Sequence, residues 1–221
     1  MAGRRAACKL EGLDTTDAKE HWEQHYGERD RVWSERVNVR VAEVVSPLEA
    51  GHALDLGCGE GADACWLAER GWTVVAVDIS DTALQRATAA AESQGLSDRI
   101  QFVQRDLSGS FPDGTFDLIS AQFLHSMIPF DRPRVLKRAA GAVRPGGLLL
   151  IVDHAGPPPW VSKLDHHHEF PSAEEVISGL DLDDDWERVR VDAVERTATG
   201  PDGETRPWVD NVIVLRRCGR G

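Results

Sequence analysis

The chain has 221 residues, 41% apolar and 28% charged, with a formal net charge of −12. That length suits one domain able to bury a sheet on both faces, and the composition lies inside the globular range, away from disorder. The acidic balance works against nucleic acid, which needs a basic face, and no apolar run approaches the ~20 residues of a membrane span.

The start, Met1 to Leu10, carries Arg4 and Arg5 with no apolar segment behind them, so a cytoplasmic protein is expected. Cys8, Cys58, Cys65 and Cys218 form no CxxC pair and read as reduced thiols. A helix is predicted over residues 14–27: Asp14 and Thr15 offer a cap, Trp22 and Tyr26 share a face, and Gly27 stops it. Residues 35–45 predict a second helix, with Val37, Val41, Val44 and Val45 facing one way and Pro47 ending it.

Short apolar runs then alternate with amphipathic segments, the pattern of strands and helices taking turns around a parallel sheet. The strands fall at residues 53–56, 73–77, 100–104, 116–120 and 148–153, and the helices at 62–70, 81–94 and 131–143. Gly71, Gly95 and the Pro145-Gly146-Gly147 turn close those helices. Beyond Gly156 a proline-rich loop leads to a helix opened by Ser172, with Glu175 placed to complete a capping box. Residues 187–197 and 208–217, joined through Gly200-Pro201-Asp202-Gly203, predict an antiparallel hairpin on the sheet edge. The acidic run from Asp181 to Asp185 reads as a solvated turn. One domain is expected, with N-terminal lid helices (residues 1–50), a core (51–155) and a C-terminal loop, helix and hairpin (156–221).

The segment Ala53-Leu54-Asp55-Leu56-Gly57-Cys58-Gly59-Glu60-Gly61 sits where the first core strand hands over to a helix. Its glycines let the backbone turn sharply and approach a ligand, in the crevice where open α/β sheets bind nucleotides. The spacing is GxGxG rather than the GxGxxG of a dinucleotide site, and Asp55 lies just upstream. An acid there suits a cofactor with positive charge and no phosphate, and S-adenosylmethionine (SAM), with its ammonium and sulfonium, is one. Asp78 ends the second strand in Val74-Val75-Ala76-Val77-Asp78-Ile79-Ser80, where a carboxylate can accept both ribose hydroxyls. The third strand ends in Gln104-Arg105-Asp106-Leu107, which offers a second acid near an adenine amino group, or a plain turn aspartate.

DLGCGEG, VVAVDIS, the strand-end Asp106, FDLISAQFLHS and RPGGLLLIVDH together resemble the successive motifs of class I SAM-dependent methyltransferases, from about Gly51 to Asp153. The resemblance implies an α/β fold of Rossmann-like type: a doubly wound, mostly parallel seven-stranded sheet with an antiparallel C-terminal hairpin strand. It also implies that Gly57, Cys58 and Gly59 hold the methionine part, Asp78 and Ile79 the ribose, and Asp106 and Leu107 the adenine. Ala121 and Gln122 would approach the methionyl end. The stretch from His21 to Gly27, with Trp33 and Ser34, is similar to the N-terminal helices of small-molecule members, including the thiopurine and tellurite-detoxifying types. Trp33 can stack near a sulfonium through its indole face, or serve only as helix packing.

A small-molecule acceptor is expected, attacked in line by SN2 displacement, with alignment and water exclusion supplying much of the rate. A thiol, phenol or carboxylate needs only positioning, whereas a poorly acidic hydroxyl needs a base. His125 and His154, each following a strand, read first as hydrogen-bonded loop histidines with no chemical role, and are the weaker candidates for that base or for an acceptor contact. The triplet His166-His167-His168 reads as a loop or pocket rim, because adjacent side chains point apart, and no metal is expected. Monomer and homodimer both stay open, as do a nicotinamide-dependent oxidoreductase and a non-catalytic SAM-binding protein.

Overall fold

The computed structural model describes residues 15–126, 128–161 and 170–219. A seven-stranded sheet in the order β3-β2-β1-β4-β5-β7-β6 forms its centre. The strands are β1 (His52–Leu56), β2 (Thr73–Asp78), β3 (Ile100–Gln104), β4 (Phe116–Gln122), β5 (Val143–His154), β6 (Trp186–Thr199) and β7 (Thr205–Arg217). The first five run parallel, while β7 lies antiparallel between β5 and β6. This is the mixed, Rossmann-like sheet the motifs implied.

Six α-helices complete the fold: α1 (Thr15–Gly27), α2 (Val39–Val45), α3 (Ala62–Glu69), α4 (Asp81–Ser93), α5 (Arg132–Ala142) and α6 (Ala173–Leu180). They cover both faces, and alternate residues of each strand divide between two cores. Ala53, Val74, Ala76, Leu118, Leu150 and Val152 pack with α2, α3 and α4, whereas Leu54, Leu56, Ile119, Leu149 and Ile151 pack with α5 and α6. Continuous apolar runs in the central strands follow from burial on both sides.

Local chemistry sets the helix starts. Ser80 accepts from Ala83 N, Asp131 from Arg134 N, and Ser172 forms the expected capping box with Glu175. The expected cap at Asp14 lies outside the described residues. The second helix starts later than its apolar period suggests, at Val39 rather than residue 35. Asn38 caps Arg40 N with its side chain and donates its own N–H to Asp63 Oδ1 at 2.6 Å, which ties the residue before α2 to the first turn of α3. Strand β5 begins before the Pro-Gly-Gly turn, pairing Val143 with Phe116, shifts register, and resumes with Leu148 opposite Leu118.

Candidate active site

The site grows from the carboxyl ends of β1, β2, β3 and β4. After Leu56 the chain turns through Gly57 at φ 69°, Gly59 at φ 52° and Gly61 at φ 83°, a left-handed region that glycine enters without strain. A Cβ on Gly57 would stand 2.7 Å from Leu124 Cδ1, and one on Gly59 3.1 Å from the Tyr26 hydroxyl. The turn thus forms the floor of a cavity of about 370 Å³, walled by strand ends, the residues after β4 and the N-terminal segment.

Carboxylates crowd one side of this cavity. Asp55 is 2% exposed, and its Oδ2 has no hydrogen-bond partner among the described residues. Burial, then the negative charges of Asp63 and Asp78, push its pKa well above the usual carboxylate range. Asp63 is pushed up to about 6 by burial, which outweighs the hydrogen bond from Asn38 N. Asp78 Oδ2 accepts from Gly59 N at 2.8 Å and Oδ1 from Ser80 N at 3.0 Å, yet burial still raises its pKa. Each of its oxygens keeps a second lone pair for a ligand hydroxyl. At the β3 end, Asp106 Oδ1 accepts from Ser108 N at 2.8 Å while its buried Oδ2 has no partner among the described residues. Ile79 and Leu107 add apolar wall between these acids.

Other expected residues divide. Cys58 and Gln122 line the cavity; burial raises the Cys58 thiol, and the buried Gln122 Oε1 has no partner among the described residues. Ala121 does not line it, because β4 runs on to Gln122 and pairs Ala121 with Leu56 and Ile151, turning its side chain into the core. Trp33 lines the cavity half-exposed, with its indole N–H 3.1 Å from the Tyr26 hydroxyl. His125 also lines it, with Nε2 3.5 Å from Asp153 Oδ1; Asp153 is fully buried and gripped by Arg132. His154 lies behind that wall. Its ring stacks between Phe123 and Trp208, at centroid distances of 4.3 and 3.8 Å, and Nδ1 sits 3.1 Å from Asp210. The triplet His166 to His168 is outside the described residues.

Glu60, within the glycine turn, ties the N-terminal segment to the core. Its carboxylate accepts from Val32 N, from Trp33 N at 2.8 Å and from Arg86 Nη1 at 2.8 Å. Burial would raise its pKa, but those donors outweigh it and hold the group below the usual range. Arg86 also donates to the carbonyls of Tyr26 and Arg29. No local signal betrays this tie, since the partners lie 26 to 28 residues away.

Residues 53–147 match a family model described as a methyltransferase domain. Over 110 residues the chain is 41% identical to Methyltransferase GfsG of Streptomyces halstedii, spanning 48% of this chain and 39% of that protein. Over 132 residues it is 36% identical to the 2-heptyl-1-hydroxyquinolin-4(1H)-one methyltransferase of Mycobacteroides abscessus, spanning 58% and 57%. The chain spans about half the length of the curated relatives it matches. A solved structure of the 1,6-didemethyltoxoflavin-N1-methyltransferase of Burkholderia thailandensis has the same fold, with TM-score 0.68 over 97% of this chain and 94% of that one, at 21% identity. A turn of three left-handed glycines below buried carboxylates, inside a sheet of this order, agrees with those matches, and residues 53–147 are similar to a methyltransferase domain.

Proposed function

We propose that this protein, as one domain, transfers a methyl group from SAM to a small-molecule acceptor. The observation that carries the reading is the set of buried carboxylates, Asp55 and Asp63 above all, raised in pKa around a glycine turn that leaves room for a ligand. Such a site is costly when empty of positive charge and is relieved by a cation without phosphate. A pyrophosphate would meet the same carboxylates as repulsion. The relative that acts on a hydroxyquinolinone and the neighbour that binds S-adenosylhomocysteine (SAH) support the same choice.

When bound, SAM supplies a methyl group made electrophilic by the sulfonium. The residues on the cavity wall would divide its parts as the motifs imply. Asp55 and the Gly57-Cys58-Gly59 backbone meet the methionine part, Asp78 and Ile79 the ribose, and Asp106, through its unpartnered Oδ2, and Leu107 the adenine. Gln122 closes the β4 end, and Trp33 covers the loop. Residues 123 to 126 and 128 to 130 form the opposite wall, and there an acceptor is oriented and water excluded. His125 is the group able to take a proton from an acceptor, its ring steadied by buried Asp153; His154 supports Phe123 from behind.

The proposal also places the protein in the cytoplasm, as a monomer or homodimer. Its net charge of −12 supports a small molecule over nucleic acid as acceptor. Calorimetry with SAM, SAH and NAD tests the cofactor, and SAH release with a panel of thiols, phenols and chalcogen oxyanions tests the transfer. Binding of NAD in place of SAM would overturn the reading; tight SAM binding without turnover on any acceptor would leave a binding protein.

A further inference from the structure

The residue after β4 carries backbone strain. Phe123 has φ 49°, and among the described residues it and Asp181 are the two non-glycines in the left-handed region. For an aromatic residue that conformation is costly and persists only where the surroundings impose it. Phe123 N still donates to Val152 O at 2.8 Å, while Phe123 O accepts from His125 N at 2.7 Å, so the chain leaves the sheet and reverses within two residues. The reversal lays Leu124 against the glycine turn, its Cδ1 2.7 Å from where a Cβ on Gly57 would stand, and sets His125 Nε2 3.5 Å from Asp153 Oδ1. Arg132 fastens the far side, donating from Nε to Leu124 O at 2.9 Å and gripping Asp153.

What imposes the strained turn comes from the C-terminal hairpin. The Phe123 ring stacks on His154 at 4.3 Å, and the other face of His154 meets Trp208 at 3.8 Å, with planes 27° and 16° apart. Trp208 is anchored in turn, its indole N–H donating to Gly156 O at 2.9 Å, and the Arg196 guanidinium lies 4.8 Å from the Trp208 ring and 5.8 Å from that of Phe123. Buried Asp210 accepts from Arg196 Nε and sits 3.1 Å from His154 Nδ1, so sliding the stack would break a buried ion pair. None of the described hairpin residues lines the cavity.

We propose that Trp208 is a positioning residue: through His154 its ring clamps Phe123 in the left-handed turn, and so aims His125 and Leu124 into the cavity from a strand that does not line it. The inference rests on the reading of the cavity as a methyl-transfer site with His125 on the acceptor wall.

Trp208→Leu keeps apolar bulk without the stack, whereas Trp208→Phe keeps an aromatic face. The rate at which diethyl pyrocarbonate modifies His125, followed by mass spectrometry of its tryptic peptide, reads the ring's placement, because Nε2 is buried in the clamped arrangement. Calorimetry with SAH on the same variants reads the cofactor side. Trp208→Leu is expected to speed modification of His125 several-fold with SAH affinity kept, and Trp208→Phe to stay at the wild-type rate. In a Phe123→Gly background, where the turn carries no strain and needs no clamp, Trp208→Leu is expected to add nothing. An unchanged His125 rate in Trp208→Leu, the same acceleration in Trp208→Phe, or a loss of SAH affinity in step with the acceleration would overturn the role. A wild type that ignores SAH overturns the methyl-transfer reading instead, and the His125 rates, which need no ligand, tell the two failures apart.

Discussion

Asp63 and Asp55 make ligand binding depend on pH. Asp63 titrates at about 6, raised by burial above the ordinary ~3.9 of an aspartate. The folded chain therefore holds this proton more tightly than the unfolded chain. Its contribution to stability is full below the unfolded pKa and is lost as pH rises towards and through 6. A bound ammonium favours the carboxylate and drives the proton off. SAH is thus expected to bind more tightly as pH rises from about 5 to about 7, with proton release seen as a calorimetric enthalpy that varies with the buffer. Asp63→Asn, which keeps an acceptor for Asn38 N, should flatten that profile; an unchanged slope would take the role from Asp63. Asp78→Ala is expected to weaken SAH by ~1 to 3 kcal/mol in isothermal titration, if the ribose hydroxyls use the lone pairs left free by Gly59 N and Ser80 N. Gly57→Val should abolish binding outright, since both the left-handed turn and the approach of Leu124 forbid a branched side chain.

At the scale of elements, two ties hold the N-terminal segment on the core. Glu23 of α1 accepts from Asp81 N and Thr82 N at the start of α4, where its charge also suits the helix dipole. Glu60 and Arg86 take the chain from Tyr26 to Trp33. Removing the Glu60 carboxylate strips Val32 N, Trp33 N and Arg86 Nη1 of their acceptor at once. Glu60→Ala is expected to speed tryptic cleavage after Arg29 and Arg31 several-fold, with SAH restoring protection in proportion to occupancy. Equal cleavage rates with and without the substitution would show that the tie is not what orders the segment. These ties also explain what sequence could and could not reveal. Each strand was legible because its apolar run ends at a turn residue, and Asp55, Asp78 and Asp106 were legible because strand ends put them in the crevice. The non-helical path of residues 35–38 was not, because the cap at Asn38 and its tertiary bond to Asp63 outweigh the apolar period of Val37 and Val41. Ala121 faces the core because β4 runs two residues beyond its pattern, and His154 is held behind the wall by a stack with Trp208 from a distant strand. The ends of the hairpin likewise reach beyond the predicted residues, to Trp186, Thr199 and Thr205, where backbone pairing continues past the alternating pattern.

At the scale of the whole molecule, the cavity is shared by distant parts of the chain. Its wall runs from Ala18 and Trp22 of α1, through the glycine turn, to Phe130 beyond β4. A ligand there bonds the N-terminal segment and the sheet together, and binding to the folded state alone adds RT ln(1 + [L]/Kd) to stability. At a hundredfold excess over Kd that is ~2.7 kcal/mol, and for a domain of this size the midpoint should rise by about 5 to 10 °C. Tryptophans make the extent of coupling readable, since Trp22 and Trp33 report on the N-terminal segment, while Trp72 and Trp208 sit on the sheet side. If the segment and sheet unfold as one unit, tryptophan fluorescence and far-ultraviolet circular dichroism should show the same midpoint with SAH and without it. A rise confined to fluorescence would mean that the ligand orders only the segment above the glycine turn, and that the sheet owes its stability to its two apolar cores alone.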